Sequence, residues 1–279
     1  MSETETDSRF ELARRIEHLV LILSFTTLAI TGLPQKFSLA GISQVMIHLY
    51  GGIEMTRVIH RLAATIFVLE AVYHLVVLGY KLFVVRVEAS MLPGLKDAVD
   101  GIQATLYNLG LRKELPRMGR YNFKEKMEYW ALVWGLVIME LTGFMMWNPI
   151  LTSKILPGQF IPAAKAAHGA EAILAVLAIL LWHFYNVHLR GWNWSMLTGK
   201  LSHTEKEEEH AGELDKIDAG QDPLTINPRQ YKRRMKVFVP LAIVVSLSLM
   251  FGLYKVATFE QTALIIPLTL DPGLQIFVP

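Results

Sequence analysis

The stretch AAHGAEAILAVLAILLWHFYNVHLR occupies residues 166–190. Its middle is apolar enough to lie in lipid, where a helical span needs roughly 20 such residues. It nevertheless carries His168, His183 and His188. An imidazole in hydrocarbon is costly unless something binds it, so ionisable groups inside a span mark function. What binds these three decides what the chain is.

The stretch is one of five comparable segments in a chain of 279 residues. The spans are read at 16–33, 58–80, 127–147, 167–188 and 237–254. The chain is 52% hydrophobic with a mean hydropathy of +0.35, too apolar for an ordinary soluble domain. The expected fold is all-α: an integral membrane bundle with a four-helix core (residues 1–201), a cytoplasmic linker (202–236), and a fifth transmembrane helix with an outer tail (237–279). The first span does not read as a cleaved signal, because Glu17 and His18 open it and no small-residue cleavage site follows. The chain has no cysteine, which excludes disulfides, thiolate-held iron–sulfur clusters and covalently attached haem. It shows neither a P-loop nor a dinucleotide fingerprint, and no nucleic-acid partner is expected.

Lysine and arginine concentrate in two loops, 81–126 and 189–236. The other two loops are poorer, with Lys36 and Arg57 in one and Lys154 and Lys165 in the other. The positive-inside rule makes the rich loops cytoplasmic, and Arg9, Arg14 and Arg15 put the N-terminus on the same side. The fifth span then sends the C-terminus outside. The charged stretch SHTEKEEEHAGELDKIDAGQDP (202–223) reads as a solvated linker with a helical turn around Glu205–Glu209.

His60 and His74 are fourteen residues apart on the second span, and His168 and His183 fifteen apart on the fourth. At about 100° per residue, each pair shares one helix face, with about 21 Å between its members along the axis. Both helices run from outside to inside. His60 and His168 therefore lie near the outer surface, and His74 and His183 near the inner one. Facing imidazoles at matched depth are what bis-histidine haem b requires. The first span runs the other way, so His18 also falls near the inner surface, and the inner site has three candidates for two axial positions. His188 lies well round the helix from His183 and reads as a rim residue. His48, His203 and His210 read as solvated loop residues. Arg57 and Arg61 flank His60, while Arg14, Arg15 and Arg120 lie near the inner site; each is a candidate partner for a haem propionate. Glu70, Glu140 and Glu171 lie inside spans and are functional candidates by position.

Several segments resemble one family, the dihaem cytochrome b (gamma) subunits of membrane-bound formate dehydrogenases and related quinone-linked oxidoreductases. The segments are RRIEHLVLILSFTTLAITG (14–32), VIHRLAATIF (58–67), GRYNFKEKMEYW (119–130), LTGFMMWNP (141–149), HGAEAILAVLAILLWHFY (168–185) and MLTGKL (196–201). The resemblance implies two haem b groups, the outer held by His60 and His168 and the inner by His18 and His183, with His74 the alternative to His18. It also implies a quinone, menaquinone or ubiquinone, hydrogen-bonded by Asn122 beside the inner haem. NFKE (122–125) reads equally as a helix-capping box, and the two roles are compatible. The expected function is that of a membrane-anchoring electron-transfer subunit in a bacterial or archaeal cytoplasmic membrane. It would pass electrons between the quinone pool and an outer-side iron–sulfur or multihaem cytochrome subunit, without a substrate-catalytic site of its own. A stand-alone electron-carrier cytochrome b and a non-redox transporter or scaffold are the alternatives.

The chain departs from the family pattern in places. The family spaces its fourth-helix histidines by fourteen; the fifteen here turn His183 by about 100° on a regular helix and put Trp182 in the gapless position. His74 is an extra histidine, Lys124 stands where the family has a small residue, and residues 202–279 have no counterpart.

Overall fold

A computed structural model describes residues 6–189, 192–220 and 227–258. Arg190 and the outer tail from residue 259 onward lie outside the described residues. The chain is built from helices. α1 (Leu12–Lys36), α3 (Ile53–Gly79), α5 (Phe123–Trp147) and α7 (Phe160–Leu177) form the four-helix unit, and α11 (Pro228–Thr258) is the fifth long helix. Among the described residues five helices are long and apolar enough to cross a membrane, at the places the hydrophobic runs indicate and a few residues longer.

The pattern of burial in α1 is the inverse of that in a soluble protein. Its buried residues are Glu17, Ser24, Thr31 and Pro34, whereas Leu19, Leu23 and Ile30 are exposed. Positions 17, 24 and 31 are seven apart and so lie within about 20° of one helix face. A polar stripe faces the neighbouring helices while the apolar surface faces outward, as lipid demands. Hydroxyls within the stripe satisfy themselves locally: Ser24 donates to the Val20 carbonyl at 2.7 Å and Thr31 to that of Thr27 at 2.6 Å.

α1 packs chiefly on α3 and α5 on α7, with α1 also touching α7. Two short helices, α2 (Gly41–Leu49) and α4 (Leu95–Asn108), lie in the connections. Along α4 the exposed residues Leu95, Val99, Ile102 and Leu106 recur at helical spacing, the pattern of a helix lying in a membrane interface. α6 (Pro149–Ile155) follows α5 directly. α11 seats Phe238 against Gly79, and Arg234 donates to the Val84 carbonyl at 3.1 Å.

Two long helices are not α-helical to their ends. α3 finishes in a π-helical stretch, Tyr80–Val85. α7 continues through π-helical turns at Ala178–His183 and Tyr185–Leu189. A π-turn accommodates one surplus residue without changing the phase of the helix beyond it. The fifteen-residue spacing therefore does not turn His183 away; the turn that contains it absorbs the extra residue.

The expectation of a solvated linker is corrected by the structure. Residues 203–218 form two helices, α9 (His203–Glu209) and α10 (Ala211–Asp218), after α8 (Ser195–Thr198) and a strand, Lys200–Ser202. That strand pairs antiparallel with Thr6–Ser8 of the N-terminal arm. The two helices are held by charges from distant segments. Glu213 meets Arg9 at 3.0 Å and Arg120 at 2.7 Å, Asp215 accepts from Arg117 at 2.8 Å, and Lys216 meets Glu88 at 3.0 Å. His210, expected in solvent, is 4% exposed, and its Nδ1 lies 3.0 Å from the Gly119 carbonyl. Burial, then the adjacent Arg9, hold its pKa below the ordinary 6.5. Gly199 turns the chain between α8 and the strand at φ +80°, and a Cβ there would lie 2.8 Å from the Phe10 carbonyl. Only glycine fits both the left-handed backbone and that approach.

Candidate functional site

Helix phase puts His60 opposite His168 and leaves three candidates at the other end; the structure sets two pairs of rings opposite one another. His60 on α3 and His168 on α7 have ring centroids 6.4 Å apart, and His18 on α1 and His183 6.3 Å apart. Simple ring contact spans the same range, so separation alone does not distinguish packing from ligation. The Nδ1 partners carry more information. His60 Nδ1 lies 2.9 Å from the Thr31 hydroxyl and His168 Nδ1 2.9 Å from the Thr142 hydroxyl. Each hydroxyl proton is already committed to a carbonyl one turn back, Thr27 for Thr31 and Ile138 for Thr142, both at 2.6 Å. The hydroxyl oxygens must then accept from Nδ1–H. That fixes the tautomer and leaves each Nε2 with a lone pair available to a metal.

His183 is held in the same sense by a different group: its Nδ1 lies 2.8 Å from a carboxylate oxygen of Glu128. An iron about 2 Å from each of two imidazole nitrogens, the bond length of first-row metals, separates ring centroids by roughly 6 Å. Both pairs match. Among the described residues no cluster of three or more His, Asp or Glu side chains could hold a bare ion. Two imidazoles alone suit a metal whose other ligands come from a macrocycle.

The glycines of the two Thr-Gly pairs serve the imidazoles. A Cβ on Gly32 would stand 3.0 Å from His60 Cε1, and one on Gly143 3.4 Å from His168 Cε1. Each Thr-Gly step thus supplies an acceptor for the ring and room for it. Thirteen residues of α1 separate His18 from Thr31, which places the two histidine pairs about 20 Å apart along that helix.

His74 is not set opposite His183. Its Nε2 meets the Tyr129 hydroxyl at 3.1 Å and its Nδ1 lies 3.2 Å from Arg14, which also pairs with Glu17 at 2.8 Å. His188 packs among Phe184, Trp192 and Trp194. Of the arginines, Arg61 stacks on Trp147 at 5.1 Å and Arg57 turns outward to Glu54. Arg15 donates to the Leu197 carbonyl, and Arg120 holds Glu213. Sequence reasoning missed Lys36, whose ammonium packs where a Cβ of Gly169 would be, one residue from His168. Glu171 approaches Gly135, and one carboxylate oxygen of Glu140 is buried without a partner among the described residues.

Asn122 caps α5. Its side-chain oxygen accepts from Glu125 N at 3.0 Å, and Glu125 returns the bond at 2.8 Å. The side chain is 1% exposed, and its amide donates to Glu209 of α9 at 3.1 Å. Next to it, Phe123, Met127 and Trp130 of α5, Ile102 of α4 and Trp182 wall an apolar cavity of about 700 Å³, with Lys126 at its edge. The cavity thus touches the neighbours in sequence of both Asn122 and His183.

This fold defines a multi-pass helical membrane protein. The curated homologues of the chain are cytochrome b556 subunits of formate dehydrogenases. It is 22% identical over 226 residues to the nitrate-inducible formate dehydrogenase cytochrome b556(Fdn) subunit of Escherichia coli K12, spanning 80% of this chain and 98% of that one. The Shigella flexneri Fdn subunit gives the same figures. The cytochrome b556(fdo) subunit of Escherichia coli K12 is 21% identical over 214 residues, 75% of this chain and 92% of that one. No protein-family model matches the chain.

Proposed function

We propose that the chain is the membrane-anchoring dihaem cytochrome b subunit of a quinone-linked oxidoreductase complex. The observation that carries this reading is the pair of opposed imidazole couples, with Nδ1 partners that leave Nε2 of His60 and His168 at one end and of His183 at the other to a metal. His60 and His168 hold one haem b; His18 and His183 hold the second, because Tyr129 and Arg14 occupy both nitrogens of His74. When bound, each haem supplies a one-electron carrier. The positive-inside count makes the His18–His183 end cytoplasmic, with the N-terminus on that side and the C-terminus outside.

The quinone site lies at the cytoplasmic end, beside Asn122. A quinone oxygen takes the place of the Glu209 carboxylate on the Asn122 amide, while the apolar cavity beside Phe123 and Trp182 takes the isoprenoid tail. Arg61 on Trp147, Lys36 beside Gly169 and Arg14 beside His74 are the cations that would pair with haem propionates, the first two near the His60–His168 end and the third near the other. The partner in this reading is an outer-side iron–sulfur or multihaem subunit; the relatives are named as subunits of formate dehydrogenases, which supports membership of a multi-subunit complex.

The test is haem content and visible spectrum of the protein purified from membranes. Two haems per chain are expected, falling to one in His168→Ala and in His183→Ala. Absence of a Soret band from the unmodified protein would overturn the reading.

A further inference from the structure

The candidate axial histidines are not all held by the same kind of group. Neutral hydroxyls accept from His60 and His168, whereas Glu128 accepts from His183 at 2.8 Å. Glu128 and His183 are both partly covered, at 25% and 32% side-chain exposure, so water screens the contact only in part. The π-turn at Ala178–His183 gives the ring the phase that meets Glu128 and His18 together.

A carboxylate differs from a hydroxyl in what it does to the ring. It draws the Nδ1 proton toward itself and gives the imidazole part of the character of an imidazolate, which makes Nε2 the stronger donor. A stronger donor stabilises ferric over ferrous iron. The negative charge itself, close to the metal in a medium of low dielectric, acts in the same direction. Both effects lower a reduction potential.

We propose that Glu128 is a positioning residue that holds the His18–His183 haem at a lower potential than a neutral partner would, leaving the His60–His168 haem untouched. The inference rests on the haem reading of these pairs. Its consequence is that the haem beside Asn122 becomes the more willing electron donor, which suits delivery of electrons to a quinone there.

The test is potentiometric titration of the purified complex, followed through its b-haem absorbance. Glu128→Gln keeps an acceptor of the same size and removes the charge. It should retain two haems per chain and raise one midpoint only. Thr142→Val should move the other midpoint. If Glu128→Gln keeps both haems and moves neither midpoint, or moves the one that Thr142→Val moves, the proposal is overturned. If Glu128→Gln loses a haem, Glu128→Asp decides. Two haems with both midpoints near those of the unmodified protein support the charge; a raised midpoint, or renewed loss of haem, overturns it. An unmodified protein without b haem would instead sink the functional reading on which the inference rests.

Discussion

The surplus residue in the fourth span offers a sharp test of how His183 is placed. On a regular α-helix each added residue advances the phase by about 100° and the axis by 1.5 Å. A ring carried about 5–6 Å from the helix axis is displaced by roughly 8 Å for a 100° turn. That exceeds the 6.3 Å centroid separation of His18 and His183, so a one-residue error in phase removes the pair altogether. The structure avoids the error by placing the extra residue in the π-turn at Ala178–His183. Deleting Leu180 from that turn should convert it to α-helix, restore a fourteen-residue spacing, and leave His183 within about 1.5 Å of its place along the axis. Inserting one alanine between Leu174 and Ala175 should rotate His183 away. The assay is haem per chain, with midpoint potentials to say which haem remains. The deletion is expected to retain two haems and the insertion to retain only the His60–His168 haem, whose ligands precede both changes. Two haems in the insertion variant, or loss of one in the deletion variant alone, would refute the phase argument.

Asn122→Asp keeps a helix-capping oxygen but loses the amide proton. Quinone-linked haem turnover should disappear with both haems retained, and adding Glu209→Gln, which removes the new carboxylate–carboxylate repulsion, should not restore it. His210 is buried with its pKa lowered, so the undocked linker binds the proton more readily than the docked one. Docking is then fully supported above the ordinary pKa of 6.5 and weakens as pH falls below it. Protease cleavage within residues 203–218 should accelerate over that range, and His210→Gln should flatten the dependence. Gly199→Ala forces a side chain to φ +80° and within 2.8 Å of the Phe10 carbonyl. A loss of about 1–2 kcal/mol or more is expected, read as a lower melting temperature and freer proteolysis of the N-terminal arm.

The five long helices were legible in the sequence because a span announces itself through length and apolarity, which need no knowledge of neighbours. Phase alone placed His60 opposite His168; at the other end it left His18, His74 and His183 open, and only the family resemblance singled out His18 with His183. What the sequence hid lay in contacts between segments. The roles of Thr31 and Thr142 were hidden because nothing local shows that their protons are spent on carbonyls and their oxygens turned to a ring. Glu128 sits in an amphipathic entry to α5 where a carboxylate is ordinary; only the π-turn of α7 brings His183 to it. The linker read as solvated because its charge is high, and high charge with few apolar residues usually means disorder. Its partners are Arg9, Arg117 and Arg120, from segments some hundred residues away or more, and no window on the sequence joins them.

The two helix pairs share a common device that ends in a useful asymmetry. In α1–α3, Thr31 supports His60; in α5–α7, Thr142 supports His168. One end of the bundle is therefore nearly symmetric, with two like histidines on two like hydroxyls. About four turns along each helix the equivalence breaks. α1 presents His18 where α5 presents Glu128, and α3 presents His74 where α7 presents His183. Glu128 takes His183 by Nδ1, and His18 faces it across the bundle. The remaining histidine, His74, goes to Tyr129, the residue after Glu128, and to Arg14. Three imidazoles at one depth thus resolve into one opposed pair and one hydrogen-bonded residue because adjacent side chains of α5 reach two different partners. On the proposed reading, the symmetric end carries an electron and the end where a carboxylate and an apolar cavity meet is the quinone end, so the departure from symmetry falls where that reading puts the exchange.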